Sequence, residues 1–62
     1  MNTTAQVFAQ GWHEGALGIA PDTARKVSEL YPDFSVEEVT VYMNGAEDGR
    51  MGDRWRLDGG NT

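Results

Sequence analysis

Apolar and polar positions along the chain fall into three helical segments. At 100° per residue, Ala5, Phe8, Trp12, Gly15, Ala16 and Ile19 share one stripe, while Gln6, Gln10, His13 and Glu14 take the other side. Thr3 followed by Gln6 is a capping box, which predicts the helix start. A shorter second helix is expected from Pro21 to Leu30. Pro21 suits its first turn, Asp22 favours its dipole, and Ala24, Val27, Leu30 and Tyr31 form its apolar face. Pro32 disfavours the α conformation at Tyr31 and ends it.

The third start is the clearest. Ser35 and Glu38 form a second capping box, and Phe34 is placed to staple onto Val39. The stripe then runs through Val36, Val39, Tyr42, Ala46 and Gly49 toward Met51. The run from Val39 to Met43 also has strand-like β-branched content, but no second strand is available to pair with it. The expected architecture is all-α: one three-helix domain over residues 1–58, followed by a flexible tail over 59–62.

An internal repeat runs across this pattern. Residues 8–18 and 42–52 both read aromatic-x-x-Gly-x-x-acid-Gly-x-x-Gly, without a gap and 34 positions apart. Val7 and Val41 precede the two copies. Gly18 and Gly52 are placed to act as helix C-caps. Gly11, Gly15, Gly45 and Gly49 are interior, and each costs roughly 0.8–1 kcal/mol relative to Ala. Together that is about 3–4 kcal/mol, comparable to the ~3–5 kcal/mol that a core this small supplies. The missing side chains must therefore be used. The expectation is that the first and third helices pair through their glycine edges, with the aromatics Phe8, Trp12 and Tyr42 packed in the core, and with homodimerisation as a way of completing the domain.

Composition narrows the function classes. Ten acids against five bases give a net charge of −5, which disfavours nucleic acid as a partner, and the absence of Cys removes disulfides and thiolate metal sites. No apolar run is long enough to span a membrane, so a cytoplasmic protein without a membrane partner is expected.

Gly11-Trp12-x-x-Gly15-x-x-Gly18, a proline-containing linker, and Tyr42-Met43-x-Gly45 before an acidic stretch together resemble the ribosome modulation factor family. That resemblance implies a helix pair and an association with the small ribosomal subunit. Family members are strongly basic, whereas here residues 1–17 contain no Lys or Arg. The linker has Tyr31-Pro32 in place of Pro-Tyr, and Ala46 stands where a second Trp is expected. The glycine-aromatic pattern also resembles small accessory proteins of bacteriophages, which implies binding to a host or defence protein.

Other chemistries fail on particular residues. A calcium loop with Gly49 at its sixth position would put Asn44 first and Asp48 fifth, but Ala46 and Trp55 fall where oxygen ligands are required. His13 has no converging ligand, since its neighbour Glu14 diverges by 100° on a helix. Ser28 and Ser35 lack a His at helical spacing to serve as base. Gly15-Ala16-Leu17-Gly18 lacks the Lys-Ser/Thr of a phosphate loop. A helix-turn-helix built on the third helix would present Glu37 and Glu38 to the DNA backbone.

No catalytic residue, metal ligand or cofactor is therefore expected. The sequence points to a non-enzymatic acidic protein that binds another protein. The candidate contacts are Trp55, Arg50, Arg54, Arg56, Glu37, Glu38, Glu47 and Asp48. A ribosome-associated regulator and a helix-turn-helix DNA binder are the alternatives.

Overall fold

A computed structural model describes the backbone of residues 3–59 and the side chains of residues 3–52. Three helices follow in order, α1 Thr4–Leu17, α2 Ala24–Leu30 and α3 Val36–Gly59. The described residues contain no strand, so the fold class is all-α as expected.

The helix starts follow the capping signals. Thr3 Oγ1 accepts from the Gln6 backbone N–H at 3.2 Å, and Gln6 Oε1 accepts from the Thr3 N–H at 3.0 Å. Ser35 and Glu38 exchange the same pair of bonds, at 2.8 and 3.1 Å. Gly18 closes α1 in the left-handed region at φ 76°, its N–H bonded to the carbonyls of Glu14 and Gly15. Only glycine enters that region without strain.

Two boundaries differ from the expectation. α2 opens at Ala24 rather than Pro21, because Thr23 is the stronger cap: its hydroxyl accepts from the Lys26 N–H at 3.2 Å. Pro21 and Asp22 precede the helix, and Asp22 pairs with Lys26 at 3.5 Å on the surface. Gly52 does not cap α3. The helix continues to Gly59, through the positions expected as its end, and residues 60–62 of the expected tail lie outside the described residues.

α1 and α3 pair closely and run parallel. Gly11 lies against Tyr42 and Gly15 against Ala46, while Gly45 lies against Phe8 and Gly49 against Trp12. Four residues up one helix accompany four residues up the other, which only parallel helices allow. The chain must therefore travel back along α1, about 21 Å at 1.5 Å per residue, before α3 begins. The loop at residues 18–23, α2, and the turn before Ser35 make that return, and α2 packs on α3.

The core forms where the return segment covers the pair. Val7, Val27, Val39, Tyr42 and Ala46 are buried, with Tyr31, Phe34, Ala20 and Met43 packed around them. Tyr42 and Val27 are 0% exposed. Phe8 and Trp12, expected in the core, are only half-buried, and Val7 takes the central place on α1. The glycines themselves occupy the line of contact, so the flanking residues divide to either side, and α2 covers one side only. For the same reason Ala5 and Ile19 are exposed. Val36, at the first turn of α3, is 84% exposed.

Candidate functional site: two equivalent faces of one helix pair

The α1–α3 contact is reciprocal. A Cβ on Gly11 would run into the carbonyl oxygen of Tyr42 and lie 3.1 Å from the Ala46 nitrogen. A Cβ on Gly45 would meet the Phe8 oxygen and lie 3.1 Å from the Trp12 nitrogen. Gly15 faces the Ala46 carbonyl, whose carbon would be 2.7 Å away, and Gly49 faces the Trp12 carbonyl, with 2.8 Å to its carbon. In each pair the second contact is the first shifted 34 positions in both partners. The two helices are therefore related by a local twofold axis running between them. Because a glycine hydrogen occupies the direction of the missing Cβ, each contact aims a Cα–H at a carbonyl oxygen, an interaction common where helices approach this closely.

Twofold symmetry gives the pair two equivalent faces, and the chain treats them differently. On the first face, Val39, Tyr42 and Ala46 of α3 and Val7 of α1 are covered by Val27, Tyr31 and Phe34. Tyr31 stacks on Phe34 with ring centroids 4.7 Å apart, and both tilt against Tyr42 at 5.3 and 5.9 Å.

At its edge sits Glu14, on the side of α1 away from the predicted apolar stripe. The hydroxyls of Tyr31 and Tyr42 both donate to its carboxylate, and Gln10 donates to Glu14 and to the Tyr31 oxygen, each at 3.0 Å. Burial opposes ionisation of Glu14, but the donated bonds from Tyr31, Tyr42 and Gln10 outweigh it and hold the carboxyl below its ordinary value. Burial, reinforced by the adjacent carboxylate, pushes both tyrosine hydroxyls upward. The network joins all three segments and fixes α2 in place.

On the second face the equivalent positions are Ala5, Phe8 and Trp12 of α1 and Val41 of α3, and among the described residues no third element packs over them. Phe8, Trp12, Ala16 and Val41 are half-buried and Ala5 is exposed. The Trp12 indole leans across α3, 3.0 Å from where a Cβ on Gly52 would stand, and its ring meets His13 edge-on at 5.8 Å. Gln10 and Glu14 have Asn44 and Asp48 as counterparts here, and both of these are exposed.

The expected contact residues are dispersed. Glu37, Glu47 and Asp48 are exposed on α3, and none of them is in the ion pairs of the described residues, Arg25–Glu29 and Lys26–Asp22. Glu38 is committed to the Ser35 cap. Arg50 donates to the carbonyls of Ala20 at 3.1 Å and Pro21 at 3.4 Å, tying the loop after α1 onto α3 rather than offering a contact outward. The side chains of Arg54, Trp55 and Arg56 lie outside the described residues.

A shallow hollow of about 230 Å³ lies between α2 and the start of α3, lined by Ala24, Arg25, Ser28, Phe34, Val36 and Val39. No group of three His, Asp or Glu side chains converges among the described residues, and no helix there is long and apolar enough to cross a membrane.

Comparison of the chain with protein-family models, curated proteins and solved structures finds no match.

Proposed function

We propose that this chain is a non-enzymatic acidic binding protein that docks on a basic surface of another protein. In this reading it acts as a phage-type accessory inhibitor of a host or defence protein, for example by covering a nucleic-acid-binding groove. The observation that supports it is the placement of Glu37, Glu47 and Asp48 on α3, exposed and without an ion pair among the described residues. They stand on a helix pair whose backbones are in direct contact, so the charges are displayed on a stiff support. Complementary charge of this kind steers association and selects partners more than it adds affinity.

The test is capture from host extract with the wild-type chain beside the Glu37→Lys/Glu47→Lys/Asp48→Lys variant. A protein retained by the first and lost by the second, and released from the first by raising the salt, is the expected result. Capture unaffected by the three reversals would contradict the reading. A ribosome-associated role is supported only by the glycine-aromatic resemblance. Cosedimentation with ribosomes, lost on reversing Arg54 and Arg56, would replace the proposal with that role.

A further inference from the structure

We infer that the uncovered face of the helix pair, formed by Ala5, Phe8, Trp12 and Val41 with Asn44 and Asp48 at its edge, is the docking site for an amphipathic helix of the partner that carries a Lys or Arg. This rests on the reading of the chain as a binding protein and names the segment it would hold.

The opposite face shows what such a surface takes. There the equivalent positions Val39, Tyr42, Ala46 and Val7 are buried beneath a short helix and the turn that follows it. At the edge, Glu14 accepts from a donor of that segment, the Tyr31 hydroxyl, whose oxygen accepts in turn from Gln10. The uncovered face repeats the layout with small changes. Phe8 stands for Tyr42, Trp12 for Ala46 and Val41 for Val7, so apolar contact is kept and a large aromatic is added. Asn44 and Asp48 stand for Gln10 and Glu14, the same amide and acid one methylene shorter. Asp48 is exposed and in neither of the ion pairs of the described residues, so a Lys or Arg supplies both the hydrogen-bond donor and the opposite charge it lacks. Asp48 also lacks the tyrosine donor that its counterpart Glu14 has from Tyr42, because Phe8 carries no hydroxyl.

Charge selects a partner helix over a second copy of this chain. Two copies would bring together two molecules of net charge −5. Among the described residues each cation is already engaged: Arg25 with Glu29, Lys26 with Asp22, and Arg50 with the loop carbonyls. A basic partner helix brings a cation to Asp48 without that repulsion.

The experiment uses the full chain with Trp55→Phe, which leaves Trp12 as its one indole. The probes are amidated peptides of about 15 residues, long enough to form a helix: a Leu/Lys amphipathic sequence, a Leu/Glu sequence with the same apolar spacing, and a scrambled Leu/Lys sequence. The Leu/Lys helix should shift Trp12 emission to the blue and saturate, binding at least about tenfold more tightly than either control. Asp48→Asn should weaken it about tenfold, and Ala5→Glu should abolish the shift. Glu47→Lys, a larger charge change on the far side of α3, should have the smaller effect.

Equal weakening by Glu47→Lys, equal binding of the scrambled peptide, or a Trp12 spectrum that stays unchanged would overturn the inference. So would a dimer in sedimentation that buries Trp12 without any peptide. If the peptide fails while capture from extract is still lost in the triple reversal, the binding function stands and only this site is wrong.

Discussion

The α-carbon of Gly15 lies directly against the backbone carbonyl of Ala46, leaving no space for a methyl group. Gly15→Ala improves helix propensity by about 1 kcal/mol, and by that measure alone should stabilise. The contact reverses the sign. Backbone carbonyls cannot swing aside as a side chain does, so the two helices must separate, and a net loss of about 1–3 kcal/mol is expected. Gly49→Ala, against Trp12, should behave alike, and the Leu variants should unfold the domain. Thermal denaturation by circular dichroism measures this.

Gly52 and Gly18 are the matching controls. A methyl on Gly52 meets only the indole of half-buried Trp12 at 3.0 Å, so Gly52→Ala should be neutral or stabilising by up to about 1 kcal/mol. Gly18 has open space around it but a φ of 76°. Gly18→Ala should therefore cost about 1 kcal/mol through backbone strain, with no packing change visible by chemical shift away from the loop.

Stability should fall at both ends of the pH scale. The folded-state pKa of Glu14 is depressed, so its contribution is present above the ordinary carboxyl value of 4.5 and is lost as pH falls through the lower folded value. Tyr31 and Tyr42 are raised, so their contribution is complete below their ordinary value of 10.0 and is lost as pH rises beyond it. Glu14→Gln should flatten the acid limb and reduce the alkaline one. Tyr42→Phe should cost about 1–2 kcal/mol by leaving the carboxylate one donor short. Urea denaturation across pH reads both.

Arg50 should act on the loop and not on the partner. Arg50→Ala is expected to raise proteolytic cleavage within residues 18–23 while lowering global stability by less than about 1 kcal/mol, since the side chain is exposed. Unchanged cleavage would show that the bonds to the Ala20 and Pro21 carbonyls do not hold the loop.

Much of this fold is legible in the sequence because its signals are local. The two capping boxes set the starts of α1 and α3, and the duplicated glycines announce a close helix pair. What is not legible depends on α2. Periodicity puts Phe8 and Trp12 on the same apolar stripe as the glycines, and nothing in that stripe says which flank the return segment will cover. Val7 reads as peripheral until Tyr42 and Val39 close over it.

Glu14 is hidden for a similar reason. A carboxylate on the polar side of α1 looks the same whether it meets water or two tyrosines from distant segments. One signal was available: Gln10 and Glu14 recur as Asn44 and Asp48, so the repeat carries a polar pair as well as glycines. Gly52 misleads because glycine ends helices only where the chain turns left-handed. Here Gly52 continues α3 beside the indole of Trp12.

The central claim is the parallel, reciprocal contact of α1 with α3, since both the buried and the uncovered face follow from it. Nuclear Overhauser effects from glycine Hα protons test it most directly. The predicted set joins Gly11 to Tyr42 and Ala46, Gly15 to Ala46, Gly45 to Phe8 and Trp12, and Gly49 to Trp12. A set that instead runs in opposite directions, joining Gly15 to Tyr42 and Phe8 to Gly49, would mean an antiparallel pair and would contradict the account.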